Sequence, residues 1–382
     1  MIGPFPRSPD RIDGGVAAAT MYLCQALAVE PDLELIGVRI CNGNGAAGED
    51  HALGWPVVDL PLGSASLSTL YQQQKRRFRE LLGKYSPDIV HAQGADLAGL
   101  LATGCGLPAV VTVHGLLGEC AKLQTHPMAK ARAILAGMLT ERPTVHRATD
   151  LISISPYVGQ YYQGELKGRV HEIPNAIAPR FFKVPRTPER GRLLFAGRIA
   201  KGKGPHDLVR AIARIPGKVG QVILAGATPD PAFESVLRAD VERLGLSGCV
   251  RFAGLLDEPA LLEEFARAEA LVLPSYQETA PMVVQQAMAA GLAVVASRVG
   301  GIPQQVDHDA TGLLFEAGSV DALAGALARL HDEPELASRL AKAGRTVAEK
   351  RYGAASVALA TRVVYEGIMR EAGTRSKEGQ AT

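Results

Sequence analysis

Short apolar runs alternate with longer amphipathic segments along this chain. The apolar runs cover 33–39, 89–91, 109–114, 151–154 and 170–173 in the first half, and 192–196, 221–225, 250–253, 271–273 and 293–296 in the second. Runs this short, with few polar interruptions, predict strands buried on both faces. Between them the spacing predicts helices over 15–30, 67–84, 206–213, 232–244, 259–268 and 320–330. Strand–helix alternation of this kind predicts an α/β fold with parallel sheets built from right-handed βαβ units.

The chain has 382 residues, more than one ordinary core accommodates, so two domains are expected. The stretch 178–190, APRFFKVPRTPER, carries three prolines and no periodicity. It reads as a linker between domains at 1–177 and 191–355, with a last helix over 356–371 and a polar, disordered tail over 372–382. The amino terminus departs from the pattern. A doubly wound domain opens on a strand of about five or six residues, yet only Met1 and Ile2 precede Gly3-Pro4. The first strand is expected to be truncated, and a start lying upstream is favoured over a tolerated stub.

Composition narrows the function. A formal net charge of +2 argues against nucleic acid as the main partner. Cys24, Cys41, Cys105, Cys120 and Cys249 are scattered without metal-ligand spacing, so reduced, mostly buried thiols in a cytoplasmic protein are expected, with no metal. No apolar run approaches the roughly 18 residues that span a bilayer, and no signal peptide is evident. Membrane contact is expected to be peripheral only.

The richest segment is 271–306, LVLPSYQETAPMVVQQAMAAGLAVVASRVGGIPQQV. A strand runs into Pro274-Ser275, then a loop with Glu278, then a helix opening near Pro281 and ending at Gly291. A helix N-terminus at the carboxyl end of a parallel strand offers free N–H groups and a favourable dipole to a phosphate. Glu278 in the loop and Gln286 two turns on place two polar side chains near one pocket, one to reach a sugar and the other a ribose. In 193–204, LLFAGRIAKGKG, Arg198 and Lys203 follow a strand end, where open α/β sheets bind ligands. An arginine fork and a lysine point charge suit a diphosphate, while Lys201 reads as surface. Gly14-Gly15 before an alanine-rich helix either lets the backbone approach a phosphate or is a plain turn. His114, closing AVVTVH, is either a hydrogen-bonding partner for a sugar hydroxyl or a satisfied core histidine. His91 reads as structural or acceptor-side, and Asn175 as a turn residue. The basic run 71–85, YQQQKRRFRELLGKY, is either a solvated face or a surface for anionic lipid.

Together, Gly14-Gly15, His114 after its strand, the Gly197-Arg198 to Lys203-Gly204 loop and the segment 274–301 resemble the retaining glycosyltransferases of family four. The resemblance runs from Gly14 to about Arg370. It implies the GT-B fold, two Rossmann-like doubly wound parallel-sheet domains facing a central cleft, with the last helix crossing back to the first domain. It implies a nucleotide-sugar donor, UDP- or GDP-linked, on the second domain, a glycan, lipid-linked or small-molecule acceptor on the first, and no cofactor or metal. Arg198 and Lys203 would then neutralise the donor diphosphate, Gly15 would meet it through the backbone, and the Met282 and Val283 N–H groups would meet its β-phosphate. Glu278 and His114 would contact the transferred sugar. The family's second motif glutamate is Gln286 here, Pro281 stands where many members have glycine, and Gln304 and Gln305 occupy a region where glutamate is common. An amide offers ribose one acceptor oxygen where a carboxylate offers two. Weaker or altered nucleotide binding is therefore expected. Two other readings stay open: a sugar-nucleotide-binding protein without transferase activity, and a GT-B epimerase or phosphorylase. The expected location is the cytoplasm, with contact at the inner face of the membrane as the alternative in which the basic helix is a lipid surface rather than a solvated face.

Overall fold

The computed structural model describes residues 1–9, 12, 14–42, 48–62, 69–123 and 126–379. The chain forms two compact units: Met1–Pro9, Val16–Ala176 and Ala354–Thr382 make the first, and Asp10–Gly15 with Ile177–Gly353 the second.

The first unit carries β1 (Ile2–Gly3), β2 (Gly37–Asn42), β3 (Glu49–Asp50), β4 (Val57–Leu62), β5 (Val90–Gln93), β6 (Ala109–Val113), β7 (Asp150–Ser153) and β8 (Arg169–Glu172). Their order in the sheet is β3-β4-β2-β1-β5-β6-β7-β8. All pairs are parallel except β3 with β4. The two-residue β1 sits at the centre. Ile2 pairs with Val38 on one side and Ala92 on the other, and the Met1 ammonium donates to Ile36 O at 2.8 Å. β1 thus pairs with both β2 and β5 and lies between the two halves of this sheet.

The second unit carries β9 (Arg192–Ala196), β10 (Gln221–Ala225), β11 (Val250–Gly254), β12 (Ala270–Leu273), β13 (Ala293–Ser297) and β14 (Leu313–Phe315). The order is β11-β10-β9-β12-β13-β14, all parallel. Every residue of β9, β12 and β13 is buried, as apolar strands covered by helices on both faces must be. From β9 the chain winds first to β10 and β11, then returns to the other side of β9 as β12. That reversal creates a crevice at the carboxyl ends of β9 and β12, the position where open α/β sheets take ligands.

Three expectations need correction. The stretch 178–190 is no free spacer. Phe181 is buried, Arg186 donates to the carbonyls of Phe265, Ala266 and Ala268, and Thr187 N and Glu189 N bond Ala266 O and Arg267 O at 2.9 and 2.8 Å. Its prolines cannot donate, but the intervening residues stitch it to the second unit. The tail is not disordered over 372–379, because the final helix runs Ala354–Gly379. Within it Thr374 Oγ1 back-bonds to Arg370 O at 3.0 Å. The cysteines are free, but only Cys24 is buried, and Cys120 is exposed. The final helix belongs to the first unit, where Arg362 pairs with Glu30 and Asp32 at 2.8 and 2.6 Å.

Candidate functional site

Three loops meet at the carboxyl edge of the second sheet. The loop after β9 reaches Gly204, whose φ is +69° and where a Cβ would stand 2.0 Å from Pro274 O. The turn after β13 reaches Gly300, with φ +50° and a would-be Cβ 1.8 Å from Glu278 O. Only glycine allows backbones this close at these angles. Tyr276 N bonds Gly202 O at 2.9 Å and Gly301 N bonds Glu278 O at 3.1 Å, closing the three loops on one another.

This packing brings Lys203 and Glu278 together although they are 75 residues apart. Lys203 Nζ donates to Glu278 Oε1, and their side chains are 25% and 9% exposed. Ser275 Oγ donates to the same carboxylate oxygen at 2.7 Å, and Ser297 Oγ fixes Ser275 by donating to its carbonyl. Lys203 therefore does not project as a lone cation; its partner is the loop carboxylate. Arg198 is exposed in the loop after β9. Tyr276 OH donates to Asp207 Oδ2 at 2.7 Å, and the His206 ring lies parallel to the Tyr276 ring with centroids 6.1 Å apart.

The helix Met282–Ala290 opens on Pro281 with no side-chain cap. The Met282 and Val283 N–H groups are therefore among those with no intrahelical acceptor, at the positive end of the dipole. Gln286 lies one turn beyond Met282 and is 6% exposed. Its neighbour Gln285 is wholly buried, and neither of its amide atoms has a partner. Gly14 and Gly15 fall in the second unit, where a Cβ on Gly15 would lie 3.3 Å from Met282 Cγ. Asp13 lies outside the described residues.

His114 sits in the first unit, just past β6. Its Nε2 meets Gln93 Oε1 at 2.7 Å. Burial pushes its pKa down to about 4, with a hydrogen bond to the Asn175 side chain pulling the other way, so the ring is neutral at pH 7. Gln93 Nε2 also meets His91 Nε2 at 3.1 Å. His91 bonds Tyr365 OH and Thr112 Oγ1, each at 2.6 Å. Burial, the Met1 ammonium and His114 hold the His91 pKa well below its ordinary value. His91 is thus a core histidine that ties the final helix to the sheet, and Asn175, buried beside His114, is more than a turn residue. Sequence reasoning missed Gln93, Ser275 and Ser297. Gln93 was within reach, because on a strand it shares a face with His91 two residues earlier. Ser275, three residues before Glu278, was within reach as well.

The model of the family described as glycosyl transferases group 1 matches residues 178–347, and that described as glycosyl transferase 4-like domain matches 14–176. Glycogen synthase of Mycobacterium tuberculosis (strain CDC 1551 / Oshkosh) is 30% identical over 299 residues, which span 74% of this chain and 69% of that protein. The chain belongs to the group 1 glycosyl transferases. D-inositol 3-phosphate glycosyltransferase of Xylanimonas cellulosilytica is 28% identical over 73% of this chain and 71% of its own length. Among solved structures, sucrose-phosphate synthase from Thermosynechococcus elongatus superposes with a TM-score of 0.83 at 24% identity, covering 97% of this chain and 98% of its own. Anabaena HepE, solved with UDP, gives 0.74 at 17% identity over 96% of this chain and 99% of its own. These likenesses carry the fold, GT-B, with its two α/β units. Among the described residues no helix is long and apolar enough to cross a membrane.

Proposed function

We propose that this chain transfers a sugar, with retention of configuration, from a nucleoside-diphosphate donor to an acceptor hydroxyl. The observation that carries the reading is the Lys203–Glu278 pair set beside the uncapped helix mouth at Met282 and Val283. A cation and free N–H groups beside a carboxylate in one crevice match two parts of a nucleotide sugar, the diphosphate and the sugar hydroxyls. Arg198 and Lys203 take the diphosphate, Gly14 and Gly15 admit it to the backbone, Glu278 holds the sugar, and Gln286 holds the ribose. UDP is the favoured donor nucleotide over GDP, since HepE was solved with UDP and with UDP-glucose.

Charge on the leaving diphosphate is stabilised by Arg198, Lys203 and the helix dipole, so turnover should persist in the presence of a chelator. Glu278 already accepts from Lys203 and Ser275 on one oxygen, which blunts it as a nucleophile. A front-face path fits better. The bond from the anomeric carbon to the phosphate oxygen breaks, the acceptor oxygen bonds the same face, and the departing phosphate oxygen takes the acceptor proton. The acceptor is a glycan, lipid-linked or small-molecule hydroxyl in polysaccharide, glycolipid or glycoconjugate synthesis. The basic helix Gln72–Tyr85 gives peripheral contact with the inner face of the membrane.

The test is a thermal-shift panel of nucleoside diphosphates and nucleotide sugars. A ligand at about 100 times its Kd stabilises the fold by about 2.7 kcal/mol. Arg198→Ala and Lys203→Ala should each abolish that shift and the release of nucleotide with acceptor. Shifts like wild type in both would place the diphosphate elsewhere. A second reading, binding without turnover, is favoured by the buried amide at Gln286. Nucleotide release by wild type at ordinary rates removes it; release only in Gln286→Glu supports it.

A further inference from the structure

The helix Pro127–Ala136, PMAKARAILA, in the first unit buries none of its side chains. Met128 is 76% exposed, Ile134 40%, Leu135 45%, and Met138 just beyond it 55%. At 3.6 residues per turn, Ile134, Ala131, Leu135 and Met128 fall on one arc, with Lys130 on one flank and Arg132 on the other. The half-buried positions are instead Ala133 and Ala136. The helix seats its small residues inward and turns its large apolar ones outward, the reverse of a helix laid on a core.

Charge says what covers that arc. No Asp or Glu occurs from Cys120 to Thr140, while Lys122, Lys130 and Arg132 do. Lys122 is held by Glu119 at 2.6 Å; Lys130 and Arg132 form no ion pair among the described residues. Arg132 also acts on the Tyr71 hydroxyl, opposing Asp96. The patch thus borders the start of the basic helix Gln72–Tyr85, where Leu70 is 50% exposed. An apolar arc bracketed by cations fits an interface with acidic groups on both flanks and hydrocarbon between them. A two-fold pairing of this patch with itself would set cations of one sign against each other.

We propose that this face docks on an anionic lipid bilayer, with Met128, Ile134, Leu135 and Met138 at the boundary between headgroups and acyl chains and Lys130 and Arg132 on lipid phosphates. This deepens the peripheral contact proposed above, but rests on no property of the sugar-nucleotide site.

The test is co-sedimentation of the full chain with phosphatidylcholine vesicles, with and without phosphatidylglycerol. Wild type should pellet with the mixed vesicles and remain in solution with phosphatidylcholine alone. The triple variant Met128→Ser, Ile134→Ser, Leu135→Ser should bind mixed vesicles at least about tenfold more weakly. Lys130→Glu with Arg132→Glu should abolish pelleting with mixed vesicles, and high salt should weaken wild type. All variants should keep the far-UV circular dichroism and the nucleotide-sugar thermal shift of wild type. Wild type that ignores anionic vesicles, or a triple variant that binds like wild type, overturns the proposal. So does a wild-type dimer in sedimentation velocity that the triple variant dissolves, which would assign the face to a second copy. Vesicle binding without any nucleotide-sugar shift leaves this surface standing and removes the transferase reading instead.

Discussion

Two helices of nearly equal length behave in opposite ways. Met282–Ala290 buries eight of its nine residues, whereas Pro127–Ala136 buries none of its ten. Both are rich in alanine, so alanine content does not separate them. Position does. The first follows β12 in the middle of a sheet and must be covered on all sides; the second hangs outside its unit on a few alanines. Burial on all sides holds a helix mouth still for an ion, and exposure leaves apolar side chains for a partner.

The difference can be broken from either side. The largest effect belongs to the buried helix. Met288, 0% exposed, should cost about 2–5 kcal/mol on Met288→Ala, read as a lower urea midpoint and a weaker nucleotide-induced shift. If it costs no more than a surface change, the second unit's core is not packed around that helix. Acid should act on the first unit. His114 takes up its proton at about 4 when folded and at about 6.5 when unfolded. Between those values the unfolded chain binds more protons, so stability rises with pH and is lost as pH falls through that window. His114→Gln should remove that component, of at most about 1.4 kcal/mol per pH unit. Urea titrations of both proteins across the window should therefore converge toward acid; parallel curves would mean that the imidazole is not buried as described. The smallest effect should come from the exposed helix. Met128→Ala should change stability by no more than about 0.5 kcal/mol, measured in the same titrations, and a larger loss would mean that the arc already packs on protein.

The α/β class and most of the strands were legible because buried parallel strands are near-continuous apolar runs. The strands at 192–196 and 221–225 coincide with β9 and β10. β2 lies further along than the run at 33–39 suggested, because Arg39 continues the strand while buried. Asp59 and Asp50 each accept from it at 2.6 Å, and a paired charge inside a strand looks like its end. β4, VVDLPL, escaped for the same reason, since Asp59 and Pro61 interrupt its apolar pattern. Local motifs identified Glu278, Lys203 and the helix opening one at a time. Their union was not legible, for an ion pair across 75 residues depends on which strands become neighbours. The outward face of Pro127–Ala136 was equally hidden, because periodicity marks an apolar arc without saying whether protein lies beneath it.

The Lys203–Glu278 pair has a consequence for selectivity on the reading proposed above. Within the crevice each of these two charges is the other's counter-ion. A bare phosphate that drew Lys203 away would strand a nearly dehydrated carboxylate with only Ser275 for company, an uncompensated charge that is costly to leave inside a protein. A sugar nucleotide brings the remedy with it, because its hydroxyls can donate to the carboxylate its phosphates have just released. The lock thus opens to a key with two teeth, and the intact donor should outcompete its own fragments.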